Sequence, residues 1–430
     1  MKEAQYPDYK STCGWNKLLP IRSNNPELTQ NITADVVIIG AGYTGVAAAK
    51  RWYDIKPDDQ IIMIDASTTG EGSSGRNSGF LIEIALANDI SSSATEKLMQ
   101  CNQLISDTLI KIKEDVSRSS IDCQMHRTGV YRVAASSIGI KSLNKYIKFL
   151  ESTNLDFEIL NNRELEENLG TKYYQKGLYT PHCFLVQPAS LIRALLEKLP
   201  SPITYFENTP ALKCLKSKSE WIVKTPNGDI KAKKVIVANN AFCGKLGFGN
   251  SYLATIYTYA GLTKQLSKSN LELLGNNNNW GILPTHRLGS TLRRTIDGRL
   301  MIRSLYHYEK EGNKDLIKKR LIDQLRKRYP QLPDLNFETV WGGATGLTMN
   351  GGWLWGEYEK NLYISAGCNG GGVVKGTLFG EHLANLANNE STLDIKKLFG
   401  SANWMPPEPF RKIGFNLISM IESHRGKSEI

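Results

Sequence analysis

The apolar pattern near the N-terminus predicts a strand, a tight turn, a helix and a second strand. Residues 35–39 form a short β-branched apolar run that ends in glycines. Alanines at 47–49 follow, as in a helix that packs closely on a sheet. A second apolar run at 61–64 ends in Asp65. Together these elements form a βαβ unit, which predicts a parallel sheet.

Farther along the chain, the pattern alternates between two kinds of element. A helical pattern over 94–116 gives way to strand-like residues at 130–133. Apolar runs like those of the first unit return at 203–206, 220–223 and 235–238. The chain therefore leaves the first sheet and comes back to it.

The second half repeats this alternation. A β-rich, aromatic stretch over 252–301 precedes a helical pattern around Ile317, and a strand at 361–365 runs into a glycine cluster. A chain of 430 residues is long enough for two domains. We predict an α/β fold class, with a Rossmann-type dinucleotide-binding domain on a parallel sheet and an inserted antiparallel β-sheet domain with helices. The predicted ranges are 1–90, 181–248 and 340–430 for the first domain, and 91–180 and 249–339 for the second.

The turn after the first strand has the spacing G-x-G-x-x-G. The first glycine permits the tight turn, the second lets a pyrophosphate approach the backbone, and the third lets helix and strand pack closely. The acid at the end of the second strand is placed to accept hydrogen bonds from ribose hydroxyls. The pattern does not choose between NAD and FAD, so an NAD-linked dehydrogenase without flavin is an alternative. The predicted dinucleotide contacts in this unit are Gly40, Gly42, Tyr43, Thr44, Gly45, Asp65 and Ala66.

A Gly/Ser-rich loop over 70–79 follows the second strand. Its backbone can bend tightly and offer many N–H donors to a phosphate or a flavin ring. A flexible surface loop is the alternative, but Arg76 places a charged donor within the segment. The predicted cofactor contacts here are Ser73, Ser74, Gly75, Arg76, Asn77, Ser78 and Gly79.

Charge and cysteine content limit the partners. The formal net charge is +11, but Lys and Arg are interleaved with Asp and Glu, so we predict no nucleic-acid partner. The densest basic stretch, 318–328, follows Ile317 at helical spacing and is typical of a solvated helix face. Seven cysteines without a C-x-x-C pair argue against a zinc site and a disulfide framework, so no metal is predicted.

The sequence also bears on location. Because no apolar run reaches the length of about 18 residues needed to span a bilayer, we expect no spanning helix. The polar residues 1–31 resemble neither a secretory signal nor a transit peptide. We therefore expect a cytoplasmic enzyme.

The motifs at 35–45 and 72–79 resemble those of the D-amino-acid-oxidase-like (DAO) superfamily of FAD-dependent oxidoreductases. This superfamily includes sarcosine, glycine and γ-glutamylputrescine oxidases, and the motifs are most similar to the last group. There, D-V-x-I-I-G-A-G-Y-T-G opens the chain and G-x-S-G-R-N-x-G lies against the flavin and its pyrophosphate. Further matches lie at 186–189, 293–300, 341–343, Thr348, Asn350 and Gly376. The resemblance makes the first domain FAD-binding and the second substrate-binding.

The glycine cluster near the C-terminus looks like the family loop that closes over the flavin's pyrimidine end. The frequent family histidine is Gly371 here, and no cysteine lies near Thr348, where sarcosine oxidases carry the covalent flavin link. Non-covalent FAD is therefore expected, and Cys368 is interpreted as a small buried residue. The cofactor contacts implied in this loop are Gly367, Asn369, Gly370, Gly371, Gly372 and Val373.

The resemblance implies that an uncharged amine passes a hydride to flavin N5 and that the imine product hydrolyses in water. The amides of residues 370–372 would stabilise negative charge on the reduced flavin. Either oxygen, giving hydrogen peroxide, or a quinone accepts the electrons. A non-catalytic flavin-binding module is a further alternative. The catalytic candidates are Trp341, Tyr259 and Arg303, with Tyr257, Arg293 and His307 as further substrate contacts.

The C-terminal segment 409–421 is basic and amphipathic. This pattern is typical of helices that lie on a membrane surface, which would suit a quinone acceptor. Packing against the protein's own surface is the alternative interpretation. Which small amine or amino acid is the substrate is left open.

Overall fold

The computed structural model describes residues 7–84 and 92–430. The strands in this part of the chain are β1 Ile32–Ile39, β2 Ile61–Ile64, β3 Phe80–Ile82, β4 Val130–Ala134, β5 Glu158–Asn161, β6 Lys176–Thr180, β7 Cys183–Leu185, β8 Thr204–Phe206, β9 Lys213–Ser217, β10 Glu220–Lys224, β11 Asp229–Val237, β12 Ala254–Thr263, β13 Trp280–Pro284, β14 Thr291–Arg294, β15 Leu300–Tyr308, β16 Phe337–Leu347, β17 Leu354–Glu359 and β18 Leu362–Ala366. The helices are α1 Gly14–Lys17, α2 Tyr43–Ile55, α3 Ser73–Arg76, α4 Ser92–Ser117, α5 Ser137–Ser152, α6 Asn162–Leu169, α7 Pro188–Glu197, α8 Lys268–Glu272, α9 Lys314–Arg328, α10 Val374–Ala387, α11 Ile395–Phe399 and α12 Phe410–Arg425, with a 3-10 helix at Asn240–Leu246.

The first sheet has the order β17-β18-β11-β1-β2-β8, with β10 and β9 attached beside β11. Its centre is parallel, because β1 runs parallel to both β11 and β2, and β18 runs parallel to β11. Val36 and Ile38 face the core beneath α2 and α10, whereas Val37 and Ile39 face a second core on the other side. Because β1 is buried on both faces, its residues 36–39 are all apolar.

The second sheet has the order β16-β12-β15-β14-β13-β4-β6-β5. Its pairs are antiparallel except for β13 with β4. Helix α9 covers one face, where Ile317, Leu321 and Leu325 pack in the same core as Tyr257 and Tyr259. The opposite face of this sheet turns towards the loops that follow β1 and β2.

The helices and strands predicted from the apolar pattern are confirmed by α4, α9, β8, β10, β11 and β18. Two predicted domain limits differ from the structure. The limit at 340 falls inside β16, which pairs with β12 in the second sheet along residues 337–347. The range predicted for the second domain includes α4, but Cys101 and Ile105 of this helix pack in the core beside the first sheet. A helix with one apolar stripe does not reveal from its sequence which sheet that stripe covers.

In the part of the chain that the structure describes, no helix is both long enough and apolar enough to cross a bilayer.

Candidate functional site

A cavity of about 1350 Å³ lies between the two sheets. Its walls come from the turn after β1, the loop before β3, the uncovered face of the second sheet, the loop before α10, and one face of α12. The volume exceeds the roughly 300–1,000 Å³ of ordinary small-molecule sites. The cavity therefore has room for a large cofactor together with a substrate.

The turn after β1 is built from glycines that bring backbone close to the cavity. Gly40 has a positive φ of 106°, a conformation that favours glycine. A Cβ on Gly45 would lie 1.8 Å from the Gly40 carbonyl oxygen, so helix and strand approach too closely for a side chain. Gly42 caps α2 without a side-chain hydrogen bond. The Tyr43 amide donates to the Ser74 hydroxyl at 3.4 Å. The next amides of α2, those of Thr44 and Gly45, can bind an anion at the positive end of the helix.

Asp65 ends β2 beside this turn. Its carboxylate accepts hydrogen bonds from the Ala41 amide at 2.8 Å and the Ser67 amide at 2.9 Å. Burial raises the pKa of Asp65, because the charged form loses water. Each carboxylate oxygen has two lone pairs, so both oxygens retain acceptor capacity towards the cavity.

The loop that follows Asp65 is held by a buried glutamate. Glu207 is fully buried and accepts hydrogen bonds from the Thr69 amide, at 2.5 Å, and the Thr69 hydroxyl, at 2.6 Å. Arg22 pairs with the same carboxylate. The hydrogen bonds from Thr69 therefore hold the start of the Gly/Ser-rich loop against Glu207, just after β8 of the first sheet.

Arg76 has a different role from the cofactor donor that its sequence position predicts. Its guanidinium donates to the carbonyl oxygens of Ser11 at 2.7 Å and Gly342 at 2.9 Å, and pairs with Glu71 at 2.9 Å. The Tyr9 ring lies 3.9 Å from the guanidinium carbon. The guanidinium of Arg76 therefore holds the loop against the N-terminal segment and β16, in the wall of the cavity.

The loop before α10 is anchored at its base and open at its tip. The Asn240 side-chain oxygen accepts from the amides of Gly367 at 2.9 Å and Cys368 at 3.2 Å. Gly371 donates its amide to the Cys368 carbonyl at 2.8 Å. Within the described structure, the amides of Gly370 and Gly372 thus remain to face a ligand.

Most of the predicted cofactor residues line one cavity. Three glycines of that set lie outside its lining. A Cβ added to any of them would come too close to a backbone or side-chain atom of a neighbouring residue. They are Gly45, Gly79 and Gly367, and the last two have positive φ angles of 80° and 87°. The predicted residues in the lining are Gly40, Gly42, Tyr43, Thr44, Asp65, Ala66, Ser73, Ser74, Gly75, Arg76, Asn77, Ser78, Asn369, Gly370, Gly371, Gly372 and Val373.

The two faces of β12 separate the tyrosines from the cavity. Thr258 and Ala260 line the cavity, whereas Tyr257 and Tyr259 lie on the α9 side of the sheet. The Tyr259 hydroxyl accepts a hydrogen bond from the Gly312 amide at 2.7 Å. Tyr259, predicted as a catalytic residue, therefore lies in the core and away from the cavity.

A bulge in β15 decides which residues accompany Arg303. Leu305 has a φ of 62°, and the pairing of β15 with β12 slips by one residue there. Alternation is reversed beyond the bulge, so Arg303, Tyr306 and Tyr308 all face the cavity. His307, a predicted substrate contact, turns to the other face and packs 5.3 Å from the Tyr259 ring.

Arg303 is a cation that faces the cavity. It donates to the Tyr306 hydroxyl at 2.5 Å and to the Thr291 hydroxyl at 3.1 Å. Among the ion pairs of the described residues, none includes Arg303. Both hydrogen-bond partners are neutral, so the positive charge is available to an anionic group of a ligand.

Trp341 and Arg293 support the site from behind. Trp341 lines the cavity with a ring that is only 1% exposed, and its N–H donates to the Arg76 carbonyl at 3.1 Å. Arg293 is outside the lining and donates to the carbonyls of Val186 and Ser78. Burial lowers the pKa of Arg293 to about 10.

The sequence did not single out several other lining residues. They lack a motif of their own, and the amphipathic pattern over 409–421 gave a signal only for Arg411, Phe415 and Ile418. They are Asn240, Arg287, Thr291, Tyr306, Arg411, Phe415, Ile418 and Glu422.

Comparison with known proteins identifies the family. The sequence model of the DAO family, described as FAD dependent oxidoreductase, matches residues 35–386. This chain belongs to the DAO family. Its cofactor is accordingly FAD, as predicted, and the NAD-linked alternative loses its support. The glycine cradle around Gly42, where a Cβ would meet the Ser74 hydroxyl at 2.6 Å, fits the close approach of a diphosphate.

Relatives of this DAO protein cover most of its length. It is 26% identical over 391 residues to the probable oxidoreductase OrdL of Rhizobium meliloti, covering 88% of this chain and 89% of that protein. It is 25% identical over 394 residues to the gamma-glutamylputrescine oxidoreductase of Escherichia coli, covering 89% of each.

Solved structures confirm the predicted fold class. The crystal structure of glycine oxidase from Geobacillus kaustophilus matches with a TM-score of 0.72 at 18% identity, covering 86% of this chain and 98% of that one. L-alpha-glycerophosphate oxidase from Mycoplasma pneumoniae, with FAD bound, matches with a TM-score of 0.67 at 14% identity. The second match covers 87% of this DAO protein and 99% of that chain.

Proposed function

We propose that this DAO protein oxidises the C–N bond of a small amine or amino acid that carries a carboxylate. The observation that carries the proposal is the Arg303 guanidinium, which faces the cavity with only neutral hydrogen-bond partners. The names of two relatives, glycine oxidase and gamma-glutamylputrescine oxidoreductase, support amine-containing substrates.

The cofactor-binding residues would hold FAD in an extended form. The first amides of α2 would bind the diphosphate, and Asp65 would accept hydrogen bonds from the ribose. The loop over 72–78 and the tip at 370–373 would contact the flavin end. Cys368, interpreted from the sequence as a small buried residue, is half-buried and lines the cavity, and its thiol contacts Asn240 and Thr345, both at 3.1 Å. These contacts favour non-covalent FAD.

The chain's own residues would bind and orient the substrate. When bound, FAD supplies the hydride acceptor at N5, and the resulting imine hydrolyses in water. Arg303 would pair with the carboxylate and thereby direct the opposite end of the substrate towards the flavin. Apolar lining from Ile256, Ala260 and Phe415 would disfavour a charged ammonium group, so the reactive uncharged amine is favoured. The amides of Gly370 and Gly372 would stabilise negative charge on the reduced flavin.

Anaerobic bleaching of the flavin tests the substrate class. Each amino acid in a panel is paired with the amine that lacks its carboxylate, such as glycine with methylamine. Arg303→Met should lower the second-order rate constant of flavin reduction by roughly 10- to 150-fold for the amino acids, because a charged hydrogen bond to their carboxylate is lost. The same variant should leave the matching amines unaffected.

Arg163→Met is the matched control, because Arg163 is exposed and forms a surface ion pair with Glu167 on α6. The carboxylate proposal is wrong if Arg303→Met slows both members of each pair equally. A protein that holds FAD but is bleached by no amine would instead be the non-catalytic flavin-binding module.

The electron acceptor is proposed to be either oxygen or a quinone. Stopped-flow reoxidation distinguishes them: hydrogen peroxide formation at the rate of turnover identifies an oxidase. Rapid reoxidation by a soluble quinone, with slow reaction towards oxygen, identifies a dehydrogenase.

A further inference from the structure

Helix α12 roofs the cavity and lies outside residues 35–386, the part matched by the family model. One face of the helix lines the cavity with Phe415, Ile418 and Glu422. Phe415 packs 5.4 Å from the Tyr308 ring, and Glu422 lies 3.2 Å from His286. Arg411 fixes the first turn by donating to the Asn250 and Leu253 carbonyls at 2.6 and 2.8 Å. Helix α12 therefore packs against the protein with one face, and its opposite face is exposed to solvent.

The outer face of α12 is apolar and exposed. Seven of the eighteen exposed large apolar side chains in the described structure lie within residues 404–421. Those on α12 recur at a spacing of three or four residues, which gathers them into one stripe. The outer stripe consists of Ile413 at 58% exposed, Leu417 at 51%, Met420 at 64% and Ile421 at 40%. Phe410, 65% exposed, lines the cavity at the start of the helix. Trp404, 60% exposed, precedes it. A contiguous apolar surface of this kind marks an interaction site.

Acidic side chains around the stripe have hydrogen-bond or ion-pair partners within the protein. Glu408 accepts a hydrogen bond from the Tyr308 hydroxyl, and Glu422 lies between His286 and Arg287. Glu429 is 3% exposed and accepts from the Ser136 hydroxyl at 2.6 Å. The outward acidic charge of this segment is thereby reduced.

Basic side chains of the same segment remain on the outside. Lys412, Arg425 and Lys427 are all exposed. They flank the apolar stripe on a chain whose formal net charge is +11. Apolar side chains bordered by cations complement an anionic lipid surface, because the stripe enters the acyl boundary while the cations meet the phosphates.

We propose that α12 docks on an anionic lipid bilayer and lies in the plane of its surface. Its 16 residues extend over about 24 Å, which suits an in-plane helix. Docking would place the roof of the cavity against the membrane, so lipid-dissolved compounds would have a short route to the site. This proposal rests on the surface of α12 and stands independently of the substrate proposed above.

Vesicle co-sedimentation of the FAD-loaded, full-length protein tests the docking. The protein should partition to vesicles of phosphatidylcholine mixed with phosphatidylglycerol, and more weakly to phosphatidylcholine alone. Lys412→Gln should reduce the partition coefficient about fivefold at low salt. Leu417→Glu should reduce it by about tenfold or more, because it removes apolar area and adds a repelled charge. Raising the salt concentration should weaken wild-type binding by screening.

Leu215→Glu is the matched control, because Leu215 is an apolar side chain of β9 that is 46% exposed and distant in sequence from the stripe. This variant should partition like wild type. The proposal is overturned if the wild-type protein does not bind anionic vesicles, or if Leu215→Glu lowers the partition coefficient as much as Leu417→Glu does. It is also overturned if light scattering shows a dimer that Leu417→Glu dissociates and that does not bind vesicles, since a second copy would then cover the stripe.

Discussion

Replacing Gly45 with alanine places a methyl group where the backbone of the first turn already lies. The added Cβ would be 1.8 Å from the Gly40 carbonyl oxygen, whereas real Cβ contacts essentially never fall below 3.0 Å. Helix α2 must therefore move away from β1 by at least about 1.2 Å. The obstructing atom belongs to the backbone, so a side-chain rotation cannot relieve the clash.

The strain should appear as weaker FAD binding. Overpacking of this kind costs about 1–3 kcal/mol, which corresponds to a roughly 5- to 150-fold higher Kd if native geometry is needed to hold the diphosphate. Fluorescence titration of the apoprotein with FAD measures the change. Gly414→Ala on α12 is the control, because an added Cβ there meets nothing within 4 Å and alanine favours a helix by about 1 kcal/mol. A Gly45→Ala variant with wild-type Kd and unfolding midpoint would refute the reasoning.

Further predictions concern buried carboxylates. As pH falls through the raised pKa of Asp65, FAD should bind more weakly, because protonation removes a ribose acceptor. The apoprotein should become more stable over the same range, because a raised carboxyl pKa favours the protonated folded state. FAD titration and urea unfolding across pH should therefore change in opposite directions, and parallel changes would contradict this role of Asp65. Glu207→Ala should cost about 2–5 kcal/mol in urea unfolding, because it leaves the buried amide and hydroxyl of Thr69 without their acceptor. Glu167→Ala, which removes an exposed pair with Arg163, should cost less than about 1 kcal/mol, and similar losses in both variants would show that burial adds nothing.

The dinucleotide turn was predictable because its requirements are local. Gly40, Gly42 and Asp65 are fixed by the order strand, turn, helix and strand, and each of them lines the cavity. The same holds for the loop over 72–78, where short-range backbone geometry determines which groups face outward. Resemblance to a known family then distinguished FAD from NAD.

The substrate wall was less predictable because it depends on long-range packing. A strand pattern shows that Tyr257 and Tyr259 share a face, but not that α9 covers that face. Because of the bulge at Leu305, Tyr306 lies in the cavity wall in place of His307. The amino-acid sequence of β15 does not predict this bulge. The sequence likewise predicts that Arg76 binds an anion. In the structure its guanidinium donates to the carbonyls of Ser11 and Gly342, which lie far from it in sequence.

The arrangement of the first sheet has a consequence for synthesis of the chain. Strand β11 pairs with β18, and residues 362–366 emerge from the ribosome long after β1 and β11. Until then the nascent first sheet carries an open edge at Val235–Val237, which is a template for mispairing. Completion of the central sheet must await most of translation, so chaperone capture of the unfinished chain should protect this edge.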